Sequence, residues 1–192
     1  MSKRIVGFDP GKKGAIALLD PETLQVEVMK IPVYKTFTYE SKGRGKKKVT
    51  KKKEHFEIDF LKLRELLTNW QKTHEEIVVV IEVQRGMANG QMNNNGSETL
   101  INYGVLRGLC LAVLGKEPLV LQPSDWQSKY PTIEVPEEIQ KIPFHENKIR
   151  AKHQSLSWAM RLFPNLNLIP PRCHRPSDAY SDAALIALSI LR

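Results

Sequence analysis

Cysteine is scarce: only Cys110 and Cys173 occur in 192 residues, the first in an apolar helical run and the second in a loop, so a disulfide framework is excluded. A reducing compartment suits such a chain. Long apolar runs are also missing. No stretch approaches a membrane span, and Met1-Ser-Lys-Arg4 leads straight into a strand rather than a signal-like apolar region, so an intracellular protein without a cleaved secretory signal is expected. No repeat at a period of 20–50 residues is visible, which excludes solenoid and propeller architectures. Acidic residues are absent from one particular tract, 42–53 (KGRGKKKVTKKK), which carries eight Lys or Arg. The rest of the chain balances, so the whole formal excess of +8 lies there. A block of this kind is expected to meet a polyanion, with nucleic acid the first candidate and binding that weakens with salt.

What the chain does have is one domain's worth of core: 41% of its residues are hydrophobic. Strand-like segments at Arg4–Phe8, Ala15–Leu19 and Gln25–Ile31 are parted by Pro10-Gly11 and Asp20-Pro21, which predicts an antiparallel meander. Residues 34–54 read as a loop or flexible hairpin extension, a Lys-rich insertion at about 35–55. Apolar residues at Phe56, Phe60, Leu63, Leu66, Leu67 and Trp70 recur at helical spacing. Ile77–Glu82 is a β-branched run of the kind buried on both faces. A polar loop from Gln84 to Gly96 follows, then a helix over Thr99–Leu114 with Ser97 as N-cap, a short strand at Leu119–Leu121, and a turn or short helix at 123–126. The Pro-rich stretch 131–143 reads as a loop, ahead of helices at about 146–163 and 176–191. This order predicts an α/β fold: a mixed five-stranded sheet flanked by helices on both faces.

Carboxylates stand at strand ends and on the last helix: Asp9, Glu82, Asp178 and Asp182. A group of acids held near apolar strands repels itself unless cations neutralise it, and an all-oxygen set suits Mg²⁺, with Mn²⁺ as a substitute. Each feature also has a plainer reading. A strand-end Asp before Pro-Gly is commonly a turn former, a lysine run is commonly a solvated surface, and Trp126 and Trp158 read as core. His153 and His174 read as capping or exposed groups, and Cys173-His174 lacks the second pair that a zinc site needs. Gly104 and Gly108, four apart, permit close packing of a helix, including packing across a dimer interface.

Taken together these residues resemble the RuvC family of Holliday junction resolvases, within the RNase H-like superfamily. The likeness is carried by Gly7-Phe-Asp9-Pro-Gly11 with Gly14, and by Glu82 with Gln84, Met87-Ala88, Ser97, Gly104 and Gly108. It continues in Lys152-x-x-Ser155-x-x-x-Ala159-x-x-Leu162-Phe163 and in Ser177-Asp178-Ala179-x-x-Asp182-Ala183-Ala184. It covers most of the chain apart from 35–55 and 131–145, and is greater to divergent viral and chloroplast-type members than to the compact bacterial enzyme. The resemblance implies a homodimer that cuts four-way DNA junctions by paired symmetric nicks. It further implies a metal site of Asp9, Glu82, Asp178 and Asp182, with Asp9 bridging two ions, and Lys152 stabilising the scissile phosphate. In the common bacterial pattern the two terminal acids stand three apart, whereas here they stand four apart. Which of them is indispensable stays open, with Asp182 the better match. The family's aromatic wedge is absent from the loop Gln84-Arg85-Gly86-Met87, leaving Arg85 or Met87 to stack. Further DNA contacts are expected at Gln84, Asn93, Lys46, Lys47, Lys48, Lys51 and Lys52.

Other readings of the same residues are a nuclease acting on flaps, other branched DNA or RNA–DNA hybrids, and a catalytically silent junction-binding protein. An actin-like ATP-binding protein also shares Asp9-x-Gly11 after a strand, but needs a second lobe with its own phosphate loop.

Overall fold

A computed structural model describes residues 2–11, 13–42, 49–83, 96–144 and 149–192. Strands β1 (Lys3–Asp9), β2 (Ala15–Leu19) and β3 (Val26–Lys30) form the expected meander. Strand β6 (Glu76–Glu82) lies parallel to β1 on its other side, and β7 (Leu119–Leu121) lies parallel to β6. The sheet therefore runs β3-β2-β1-β6-β7, with an antiparallel half and a parallel half meeting at β1. This is the mixed five-stranded sheet that the sequence predicts.

Alternation along β1 divides the core. Ile5 faces one layer, with Ala15, Ala17 and Leu19, while Val6 and Phe8 face the other, with Ile16. Helices α1 (Phe60–Thr73) and α2 (Gly96–Leu114) cover the second layer through Leu63, Leu67, Leu106 and Cys110. Helix α5 (Ile149–Leu162) and helix α6 (Asp178–Ser189) cover the first, joined by the short helices α3 (Pro123–Gln127) and α4 (Glu137–Gln140). Asp59 caps α1 by accepting the Lys62 amide at 3.1 Å.

The seat of α6 on β1 depends on one residue. A Cβ at Gly7 would stand 2.3 Å from the Ala183 carbonyl oxygen and 2.7 Å from the Ala187 amide nitrogen. Only a glycine lets the helix backbone rest on the strand there.

Of the two readings of 34–54 the hairpin holds among the described residues: β4 (Val33–Lys42) and β5 (Val49–Ile58) pair antiparallel as a separate two-stranded ribbon. Three expectations change. Phe56 belongs to that ribbon and is exposed, although its spacing to Phe60 and Leu63 also fits a helix. The stretch 131–143 contains α4, whose Ile139 is buried. Helix α2 starts by Gly96, which places Ser97 inside its first turn rather than at its cap.

Trp126 is buried as expected, but Trp158 sits only partly buried at the core's edge, its indole donating to the Pro131 carbonyl at 2.8 Å. His153 is buried rather than exposed, with Nε2 2.9 Å from the Ile142 carbonyl oxygen, and His174 is exposed. Both cysteines are free, and burial pushes the Cys110 thiol up to about 12. Among the described residues no helix is long and apolar enough to cross a membrane.

Candidate active site

Phe8 pairs with Ile81 across β1 and β6, and the next residue of each strand is Asp9 and Glu82. Parallel neighbours thus deliver two carboxylates to the same edge of the sheet. The turn after Asp9 is fixed by the Gly11 amide donating to the Asp9 carbonyl at 3.0 Å and by the Gly14 amide donating to the Gly11 carbonyl at 2.8 Å. A Cβ at Gly14 would stand 1.9 Å from the Asp9 carbonyl oxygen, so that turn closes only on glycine.

Helix α6 crosses β1 and brings Asp182 to this edge. Burial raises the Asp182 carboxyl well above its ordinary value, the charge of Asp9 raises it further, and Asp178 and Glu82 add to the effect. The Ser155 hydroxyl opposes the shift by donating a hydrogen bond to Asp182 Oδ1. Asp182 therefore stands within the field of all three other acids predicted from sequence. Among the described residues, no three His, Cys, Asp or Glu side chains form a ready ligand cluster. The donor set, all carboxylate oxygen, fits a hard divalent cation in kind.

Three of the acids, Glu82, Asp178 and Asp182, are also held from outside. The Trp126 indole donates to Glu82 Oε1 at 3.0 Å. Lys152 on α5 forms an ion pair with Asp178 and lies 5.0 Å from the centre of the Phe144 ring. Ser155, one helical turn after Lys152, also contacts the Ser181 hydroxyl at 3.0 Å, and Ser181 donates to the Asp178 carbonyl at 2.8 Å. Trp126, Ser155 and Ser181 received no site role in the sequence reading. Only the Lys152-to-Ser155 spacing, which puts both on one face of α5, hints at it.

The expected DNA contacts divide. Lys52 lies in β5, as does the backbone of Lys51, whereas the acids stand on β1, β6 and α6. Lys46, Lys47, Lys48, Gln84, Arg85, Met87 and Asn93 lie outside the described residues.

Trp126→Phe keeps the ring's packing and removes its donor. Activity at this site is expected to fall about 10- to 100-fold while the melting temperature stays within a few degrees, as found for groups that orient metal ligands. Paired turnover and thermal-melt measurements check this.

No family model and no curated protein matches the chain. Among solved structures it is similar to Thermus thermophilus RuvC, at 13% identity and a TM-score of 0.43, over 97% of this chain and 92% of that one. It is also similar to T. thermophilus RuvC in complex with a Holliday junction substrate, at 11% identity and a TM-score of 0.47, over 97% and 91%.

Proposed function

We infer that residues 1–192 form one nuclease domain acting as a Mg²⁺-dependent, structure-selective endodeoxyribonuclease that resolves four-way junctions. The observation that carries this reading is Asp182, whose carboxyl sits in the combined field of Asp9, Glu82 and Asp178 at the end of two parallel strands. A group of acids kept together against its own repulsion serves a cation.

Asp9, Glu82 and Asp182 would hold that cation. When bound, Mg²⁺, or Mn²⁺ in its place, supplies positive charge to the attacking and leaving oxygens of a phosphodiester. Asp9 and Glu82 stand at strand ends, while Ser155 and Trp126 orient Asp182 and Glu82. Asp178, paired with Lys152, is a positioning residue that holds the ammonium beside the site for a phosphate oxygen. Water attacks phosphorus in line and the bond to the 3′ oxygen breaks, leaving a 5′-phosphate and a 3′-hydroxyl.

Paired nicks need two such sites related by a two-fold axis, hence a homodimer. Helix α2 supplies a surface for it. Ile101, Val105 and Leu111 are exposed, and a Cβ on Gly104 or Gly108 would meet no described atom within 4 Å. These glycines do not serve packing within the described fold, and their spacing puts them on the same outward stripe. Leu111→Glu is expected to give a monomer by sedimentation that nicks one strand but loses paired resolution.

The decisive test is cleavage of an end-labelled four-way junction beside duplex, flap and RNA–DNA hybrid, with Mg²⁺ or EDTA and with Asp9→Asn as control. Symmetric, metal-dependent nicks confined to the junction are expected. Preferential cutting of flap or hybrid would replace the substrate, and tight junction binding without cleavage would overturn the enzymatic reading.

A further inference from the structure

The β4–β5 ribbon has two unlike faces. Cross-strand register places Lys35 opposite Phe56, Phe37 opposite Glu54, and Tyr39 opposite Lys52, all on one face. Tyr34, Thr36, Thr38, Lys53, His55 and Glu57 occupy the other. The second face is a hydrogen-bonded polar surface: Tyr34 donates to Glu57 at 2.8 Å, Thr36 donates to Glu57 at 3.2 Å, and Thr38 lies 2.6 Å from His55. The first leaves three aromatic rings in solvent, Phe37 at 42%, Phe56 at 49% and Tyr39 at 68% exposure. At the ribbon's base Ile31 and Ile58 are buried in the core, so the ribbon is anchored while its aromatic face is not covered by the described residues.

Lysines separate the rings. Lys52 Nζ lies 3.6 Å from the centre of the Phe37 ring and Lys35 Nζ lies 5.5 Å from it, with Lys35 also paired to Glu54 at 2.6 Å. The tract 42–53, with eight basic residues and no acid, begins at the last residue of β4 and takes in the first half of β5. An apolar protein surface is a poor match for such a face. A polyanion that also carries flat rings is a good one.

We propose that this face binds single-stranded nucleic acid, with bases stacked on Phe37, Tyr39 and Phe56 and the lysines on the phosphates. Phe37 and Tyr39 stand two residues apart on one strand, about 7 Å, roughly twice the 3.4 Å rise between stacked bases, so one base enters between the rings as the Lys52 ammonium leaves the Phe37 ring for a phosphate. Duplex DNA offers no such fit, because its base faces are covered by their neighbours. The ribbon thus supplies a site for unpaired strand on elements other than those that carry the acids, and it shares with the nuclease reading only the polyanionic partner.

The test is fluorescence anisotropy of the full chain in EDTA, using a labelled oligothymidylate and a duplex of equal length over a range of salt concentrations. Replacing Phe37, Tyr39 and Phe56 by Ser is expected to weaken single-strand binding at least about 30-fold and duplex binding less than about twofold, with the salt slope unchanged. Lys35→Gln with Lys52→Gln is expected to flatten the single-strand slope by about 1.4. If the triple variant melts early, Tyr39→Ser alone, at the most exposed ring, is expected to lose about fivefold. Equal losses on both substrates would mean that the ribbon only tracks phosphates. No loss would overturn the proposal, and no loss with an altered sedimentation coefficient would assign the face to contact between copies. Because binding is read without cleavage, failure of junction resolution leaves this result interpretable.

Discussion

Asp182→Asn is expected to abolish cleavage, by at least about 10³-fold or roughly 4 kcal/mol of barrier, while leaving the metal-free protein more stable than the parent at neutral pH. The two effects share one cause. Asp182 is the acid on which burial and the charges of Asp9, Asp178 and Glu82 converge, so its ionised form opposes folding. Its carboxyl titrates above the ordinary 3.8, so the folded state binds the proton more tightly than the unfolded chain does. The stability from that difference is complete below 3.8 and is lost as pH rises through the elevated value. The asparagine keeps an oxygen for the Ser155 hydroxyl and removes this pH dependence. Thermal melts in EDTA across acid to neutral pH check it: the parent's melting temperature should fall relative to the variant as pH rises. Added Mg²⁺ should raise the parent and leave the variant little changed. A variant that melts below the parent at every pH would refute this account of Asp182. Asp178→Asn, by contrast, releases Lys152 rather than a central ligand, and a loss of about 10- to 100-fold is expected.

The second large effect is on the fold itself. Gly7→Ala is expected to cost about 3 kcal/mol, lowering the melting temperature by roughly 6–12 °C for a chain of this size. The new methyl would stand 2.3 Å from one backbone atom of α6 and 2.7 Å from another, and a helix backbone cannot yield as a flexible side chain can. Helix α6 must lift from β1, and Asp182 lifts with it. Activity should therefore fall even at temperatures where the variant is fully folded, which separates displacement of the helix from simple unfolding. Circular dichroism melts with turnover measured well below the transition test both parts.

Much of this was legible in the sequence, for physical reasons. Ala15–Leu19 and Leu119–Leu121 are bounded by turn formers or by Pro, and their strands begin and end there. Glu82 is readable because an uninterrupted β-branched run can only be a covered strand, and an acid at its end then needs a reason. The ribbon was harder to read. Its alternation is filled by Lys, Thr and Glu rather than by aliphatic residues, so no apolar stripe marks it, and Phe56 fits two periods at once. Trp126 and Ser155 were not legible as site residues, because a hydrogen bond to a partner 44 or 27 positions away is a product of tertiary packing. Their local sequence says only that one is large and apolar and that the other is small and shares a helix face with Lys152.

The placement of the acids also bears on synthesis. Asp9 leaves the ribosome early, Glu82 midway and Asp182 late, and the helix bearing the last of them docks onto the first strand made. A growing chain thus holds no complete set of carboxylates until nearly all of it has emerged. Any product truncated before that helix lacks the group on which the other acids converge, so abortive translation yields no chain with the whole set.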